Sequence, residues 1–171
     1  MKRISLTLCL AFLTVLFCQA QVAPLKFNKN GEFKIVQFTD IHFQYHNPAS
    51  AIALKRINEV LDAERPDLIV FTGDVVYAPP ADTAMRAVLD CASSRKIPFV
   101  VTFGNHDNEQ GKTRAELYDI IRSMPYNIQP DRGSVESPDY VLTVKSSDGK
   151  KDASVPVSYT HLRAHETLMN L

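Results

Sequence analysis

The sequence has no surplus of either charge. Nineteen lysines and arginines stand against nineteen aspartates and glutamates, and the formal net charge of the 171 residues is zero. That balance leaves no basic excess to attract nucleic acid or an anionic membrane, and no acidic tail that serves only to solvate. Cysteine is scarce, with Cys9, Cys18 and Cys91 the three in the chain. Beyond the first twenty residues no apolar run approaches the roughly 20 residues that cross a bilayer. No internal repeat is visible, which sets aside solenoids and propellers. What is present is ordinary: 45% hydrophobic and 22% charged residues suit a globular protein, and the length has room for one domain.

The first twenty residues read as a signal peptide. Lys2 and Arg3 lead into an uncharged apolar run from Ile4 to Phe17, and Cys18 and Ala20 stand where signal peptidase takes small residues, so cleavage is expected before Gln21. The run is short for a membrane anchor, and bulky Phe17 argues against lipid attachment at Cys18. The expectation is export, to the periplasm or outside the cell, with no stable membrane anchor after cleavage. Cys9 and Cys18 leave with the signal. Cys91 then stands alone, so no internal disulfide forms, and its place on a predicted helix marks it as a small buried residue.

Hydrophobic periodicity organises the rest. Glu32 to Thr39 reads as a strand, and Pro48 to Glu64 as a helix capped by Asn47, with Ala53, Ile57, Val60 and Leu61 on one face. Asp67 to Thr72 is a second strand, and Asp82 to Arg95 a second helix presenting Met85, Val88, Leu89 and Ala92. Ile97 to Phe103 is a third strand. Thr113 opens a third helix, with Glu116 three residues on completing a capping box. Tyr140 to Lys145 is one more strand, ending in a Ser146 to Gly149 turn. Short apolar strands alternating with amphipathic helices predict an α/β fold with a parallel sheet.

Polar residues cluster just past each of the first three strands. Asp40-Ile41-His42 follows the first, Gly73-Asp74 the second, and Gly104-Asn105-His106-Asp107 the third. Open parallel sheets bind ligands at the carboxyl ends of their strands, so these side chains are expected at one edge. Carboxylates, imidazole and an amide oxygen suit zinc, iron or manganese. An extended Asp-x-His would send Asp40 and His42 to the same side, and the glycines would let the backbone turn and approach closely.

These three motifs, in this order and spacing, resemble the first three of the calcineurin-like metallophosphoesterases, and Glu64 to Ile69 leading into Phe71-Thr72-Gly73-Asp74 is most similar to the subgroup related to purple acid phosphatases. The resemblance covers roughly Phe33 to Lys145 and implies the amino-terminal half of that family's α/β sandwich. It implies a phosphate-ester substrate and two metal ions, divalent or trivalent. Asp40 and His42 would bind the first metal, Asp74 would bridge both, and Asn105 would bind the second. His106 would sit just outside the metals, stabilise phosphoryl oxygens and protonate the leaving group, and Asp107 would orient His106. The mechanism implied is attack on phosphorus by a metal-bound hydroxide. Tyr77 falls where purple acid phosphatases carry an iron-binding tyrosine, but His42 competes for the same position, so Tyr77 is either a ligand or an aromatic wall of the cleft. Lys112 and Arg114 are either phosphate contacts or a solvated first helical turn, and His46 reads as a solvated loop residue.

The family's later ligands, a lone histidine motif and Gly-His-x-His, do not occur. His161 and His165 are the only later histidines, and they lie in a stretch, Val157 to Thr167, that matches the translation of a transposase adapter used in preparing DNA for sequencing. Native sequence is therefore expected to run over 21–156 as a truncated phosphoesterase domain, with 157–171 derived from the adapter. The chain alone is expected to be inactive. The alternative expectation is a binding or structural protein that keeps the fold without the chemistry. Nothing in the sequence indicates an oligomeric state.

Overall fold

The computed structural model describes residues 22–158, so the expected signal peptide and most of the expected adapter tail lie outside the described residues. The elements in chain order are β1 (Ile35–Phe38), a 3₁₀ turn (Pro48–Ser50), α1 (Ala51–Glu64), β2 (Leu68–Thr72), α2 (Ala81–Ser93), β3 (Phe99–Thr102), a second 3₁₀ turn (Asp107–Glu109), α3 (Arg114–Arg122), β4 (Tyr140–Lys145) and β5 (Asp152–Val157). The first three strands form a parallel sheet in the order β1-β2-β3, with Ile35 opposite Leu68 and Ile69 opposite Phe99. The last two form an antiparallel hairpin with Leu142 opposite Val155. The α/β class and the parallel sheet are as the periodicity predicts.

Period-two alternation divides the sheet between two cores. Ile69 and Phe71 of β2, with Phe99 and Val101 of β3, pack against Ile57, Leu61, Met85, Val88, Leu89, Leu117 and Ile121 of the helices. The intervening Leu68, Val70 and Val100 face the other way, onto Leu25, Leu142, Val144 and Val157 of the hairpin side. β2 is central and buried on both faces, which is why it reads as a continuous apolar run, whereas Ile35 of edge strand β1 stays exposed. Each fully buried aliphatic or aromatic side chain here contributes about 1.5–3 kcal/mol.

Local chemistry sets the helix ends. The Asn47 side chain accepts from Ala49 N at the start of the first 3₁₀ turn. Thr113 Oγ1 accepts from Glu116 N at 3.2 Å while Glu116 accepts from Thr113 N at 2.9 Å, so the capping box forms as its spacing predicts. Two expectations are corrected. Val60 is exposed, because it lies about 100° round the helix from Leu61 and α1 buries the narrower stripe through Ile57 and Leu61. The strand β5 has no counterpart in the predicted elements: its polar residues and Pro156 hide the alternation, and a proline is tolerated because, among the described residues, β5 pairs on one side alone. β5 includes Val157, which is buried and pairs with Tyr140. Cys91 is buried and free, as expected, and burial pushes its thiol pKa up.

Candidate metal centre

The loops after β1 and β2 run on together beyond the sheet. Asp40 N donates to Gly73 O at 3.1 Å, His42 N to Asp74 O at 2.9 Å and Phe43 N to Val75 O at 2.9 Å. The extended Asp-x-His backbone expected from the sequence is not what forms. Asp40, His42 and Asp74 all take left-handed backbone conformations, with φ of 52°, 49° and 50°. Aspartate and histidine tolerate this region better than most residues, yet each costs about 1–3 kcal/mol unless the surroundings hold it, and such strain gathers at functional sites.

Two glycines let β2 and β3 deliver their loops to one point. A Cβ on Gly73, whose φ is 93°, would meet Gly104 N at 2.7 Å, and a Cβ on Gly104 would lie 2.0 Å from Asp74 Oδ1. Asp74 is thereby placed between the other two loops. Its Oδ1 accepts from His106 N at 2.9 Å, and its Oδ2 lies 3.5 Å from His42 Nε2.

His42, Asp74 and His106 converge so that one ligand atom from each lies within 4.8 Å of the others. His42 Nε2 is buried and, among the described residues, has no hydrogen-bond partner. A buried imidazole nitrogen facing a carboxylate at 3.5 Å, with a second imidazole alongside, is a donor set that fits a borderline metal ion. Asp40 stands outside this group of three, and Thr39 Oγ1 donates to its Oδ2 at 2.5 Å. Asn105 is half-buried in the loop just before His106. His106, expected just outside the metals, has its imidazole within the group.

Asp107, expected to orient His106, has its oxygens engaged by backbone N–H groups. Its side chain is fully buried: Oδ1 accepts from Val75 and Val76 at 2.8 and 3.1 Å, Oδ2 from Gly104 and Asp74 at 2.8 and 3.0 Å. It ties the β3 loop to the β2 loop. Burial pushes its carboxyl pKa up, against the pull of the Gly104, Val76 and Val75 N–H groups. The carboxylate beside the imidazole is Glu109, 2.6 Å from His106 Nδ1, which raises the His106 pKa. Sequence reading missed Glu109. The signal available was its spacing of three from His106 across a short turn.

The His106 ring meets those of Tyr77 and His42 edge-on, while Tyr77 and His42 are tilted at 52°; Tyr77 lies 5.0 Å from each imidazole and the two imidazoles are 5.7 Å apart. Tyr77 thus packs against both histidines. His46 is exposed and packs on Tyr45. Lys112 is held by Glu116 at 3.0 Å, and Arg114 reaches back to Gly104 O at 3.5 Å.

With three strand ends converging on this histidine–carboxylate group, the likeness to known proteins has a structural footing. The family model described as calcineurin-like phosphoesterase matches residues 33–161, and the chain belongs to that family. It is 37% identical, over 62% of its length and 32% of the relative's, to "Probable inactive purple acid phosphatase 29" of Arabidopsis thaliana. It is 32% identical to "Phosphatase DCR2" of Saccharomyces cerevisiae, over 57% of this chain and 20% of that protein. A third relative, "UDP-2,3-diacylglucosamine pyrophosphatase LpxG" of Chlamydia trachomatis, is 31% identical over 49% of this chain and 25% of that protein. The chain spans about a third or less of the length of these relatives. Among the described residues no helix is long and apolar enough to cross a membrane.

Proposed function

We propose that the whole protein hydrolyses phosphate esters at a dinuclear metal site, and that this chain carries its first ligands. One observation supports this above the others: His42, with its buried and unbonded Nε2, meets Asp74 and His106 where three parallel strands end. In this reading Asp40 and His42 would hold one ion, Asn105 the second, and Asp74 would serve both. Bound metal ions would lower the pKa of water and neutralise charge developing on the phosphate. The chain's own residues do the rest. Asp107 clamps the two loops so that Asp74 keeps its place, and Tyr77 walls the cleft. His106 holds a proton for the departing ester oxygen, a task suited to an imidazole whose pKa is raised by Glu109.

In the same reading residues 1–20 are an export signal, 21–156 are the front of the phosphoesterase domain, and 157–171 come from a sequencing adapter. An independent read of the gene across codon 156 tests this: a frame running on to a lone histidine motif and Gly-His-x-His is expected, and a native stop there would overturn it. Phosphate release by the full gene product tests the activity itself. Turnover that needs added zinc, iron or manganese and vanishes with chelator is expected; none with any of them would refute it.

A second reading has its own support, since several relatives carry "inactive" in their names. Here the group binds metal without turnover. Tight metal binding by a full-length protein that releases no phosphate would favour it.

A further inference from the structure

Glu109 has entered so far only through its effect on the His106 pKa, yet its carboxylate bonds the imidazole itself. Its Oε2 lies 2.6 Å from His106 Nδ1. An ionised carboxylate has no proton to give, so a contact this short requires the hydrogen on Nδ1. We propose that Glu109 is a positioning residue: its carboxylate keeps the hydrogen on His106 Nδ1 and leaves Nε2 as the nitrogen that gives and takes the proton.

The backbone builds this arrangement. Residues 107–109 form a 3₁₀ turn, in which side chains at i and i+3 eclipse, and the Glu109 N to His106 O bond at 3.1 Å closes that turn. The glutamate is thereby brought alongside the imidazole. Other contacts hold the ring's remaining freedom. Tyr77 and His42 meet it edge-on, at interplanar angles of 82° and 75°. The neighbouring carboxylate, Asp107, is taken up by four backbone N–H groups and offers the ring no acceptor. An exposed ion pair of this kind adds little to stability. Its consequence lies in the tautomer, because a histidine at a metal site has its working nitrogen chosen by what the other nitrogen bonds.

The inference rests on the phosphoesterase reading for its purpose, but its test does not. In the full chain labelled with ¹⁵N-histidine, long-range ¹H–¹⁵N correlations report which nitrogen of each neutral imidazole carries the proton, and a His106→Gln spectrum assigns the signal. The wild type is expected to show a protonated Nδ1 at His106. Glu109→Ala is expected to move most molecules to the Nε2-protonated form. Glu109→Gln keeps an amide oxygen as acceptor and is expected to retain the wild-type form. A wild-type His106 protonated at Nε2, or an Ala variant with an unchanged tautomer, overturns the proposal, and the wild-type spectrum suffices even if the Ala variant fails to fold. In the full gene product, Glu109→Ala is expected to lower kcat about 10–100-fold with KM nearly unchanged, with partial recovery in Glu109→Gln. If the wild type releases no phosphate, the phosphoesterase reading falls while the tautomer measurement still decides the role of Glu109. If turnover is present and the tautomer indifferent to Glu109, the reverse holds.

Discussion

Asp107→Asn should unfold the site from within. The aspartate is fully buried and accepts four backbone N–H bonds, two on each oxygen. Asparagine is nearly the same size, so packing barely changes, but its amide nitrogen replaces one acceptor with two more donors. Two backbone N–H groups lose their partner in a place that water does not reach. A buried unsatisfied donor costs about 1–3 kcal/mol, which puts the total at about 2–6 kcal/mol. That is a large share of the roughly 5–15 kcal/mol that stabilises an ordinary domain. Urea denaturation of the full chain, followed by far-ultraviolet circular dichroism, measures it. With a slope of about 2 kcal/mol per molar, the midpoint should fall by about 1–3 M at unchanged slope. A loss below about 0.5 kcal/mol would refute the clamp and leave Asp107 free for another role.

Gly104→Ala would place a Cβ 2.0 Å from Asp74 Oδ1, so the carboxylate must move, and zinc affinity measured by calorimetry should fall at least about tenfold; unchanged affinity would remove Asp74 from the metal group. Glu116 is held down to a pKa of about 2, first by the Thr113 backbone N–H and then by Lys112. A depressed carboxyl contributes stability above its unfolded pKa and loses it as pH falls, here between about 4.5 and about 2. Glu116→Gln should therefore flatten stability against pH across that window, as followed by thermal melts; an unaltered slope would contradict the capping box. Phe71→Ala, which empties a fully buried site between β2 and the helices, should cost about 3–5 kcal/mol in the same urea assay.

The fold was legible because most of it is periodic. The apolar runs of β2 and β3 and the stripes of α2 and α3 are set by burial on one or both faces, and the Thr113–Glu116 box carries its own spacing. The hairpin was half legible: β4 alternates cleanly, whereas β5 is polar and holds Pro156. Asp74 and His106 reach the site because strand ends deliver them, and that follows from topology. The left-handed backbone at Asp40, His42 and Asp74 does not, since it depends on bonds between two loops more than thirty residues apart. The same limit hid the partners of Asp107 and His106. Asp107 follows the histidine directly, but its oxygens turn to the backbone of the β2 loop, and a 3₁₀ turn brings Glu109 to the ring instead.

The most direct test of the site is phosphate release by the full gene product, wild type against Asp74→Asn, with and without added divalent metal. Asp74 lies between the histidines of the other two loops, so its loss should exceed the roughly 10–100-fold drop typical of outlying partners, with metal-dependent turnover in the wild type. Equal turnover in the two proteins would contradict the site described.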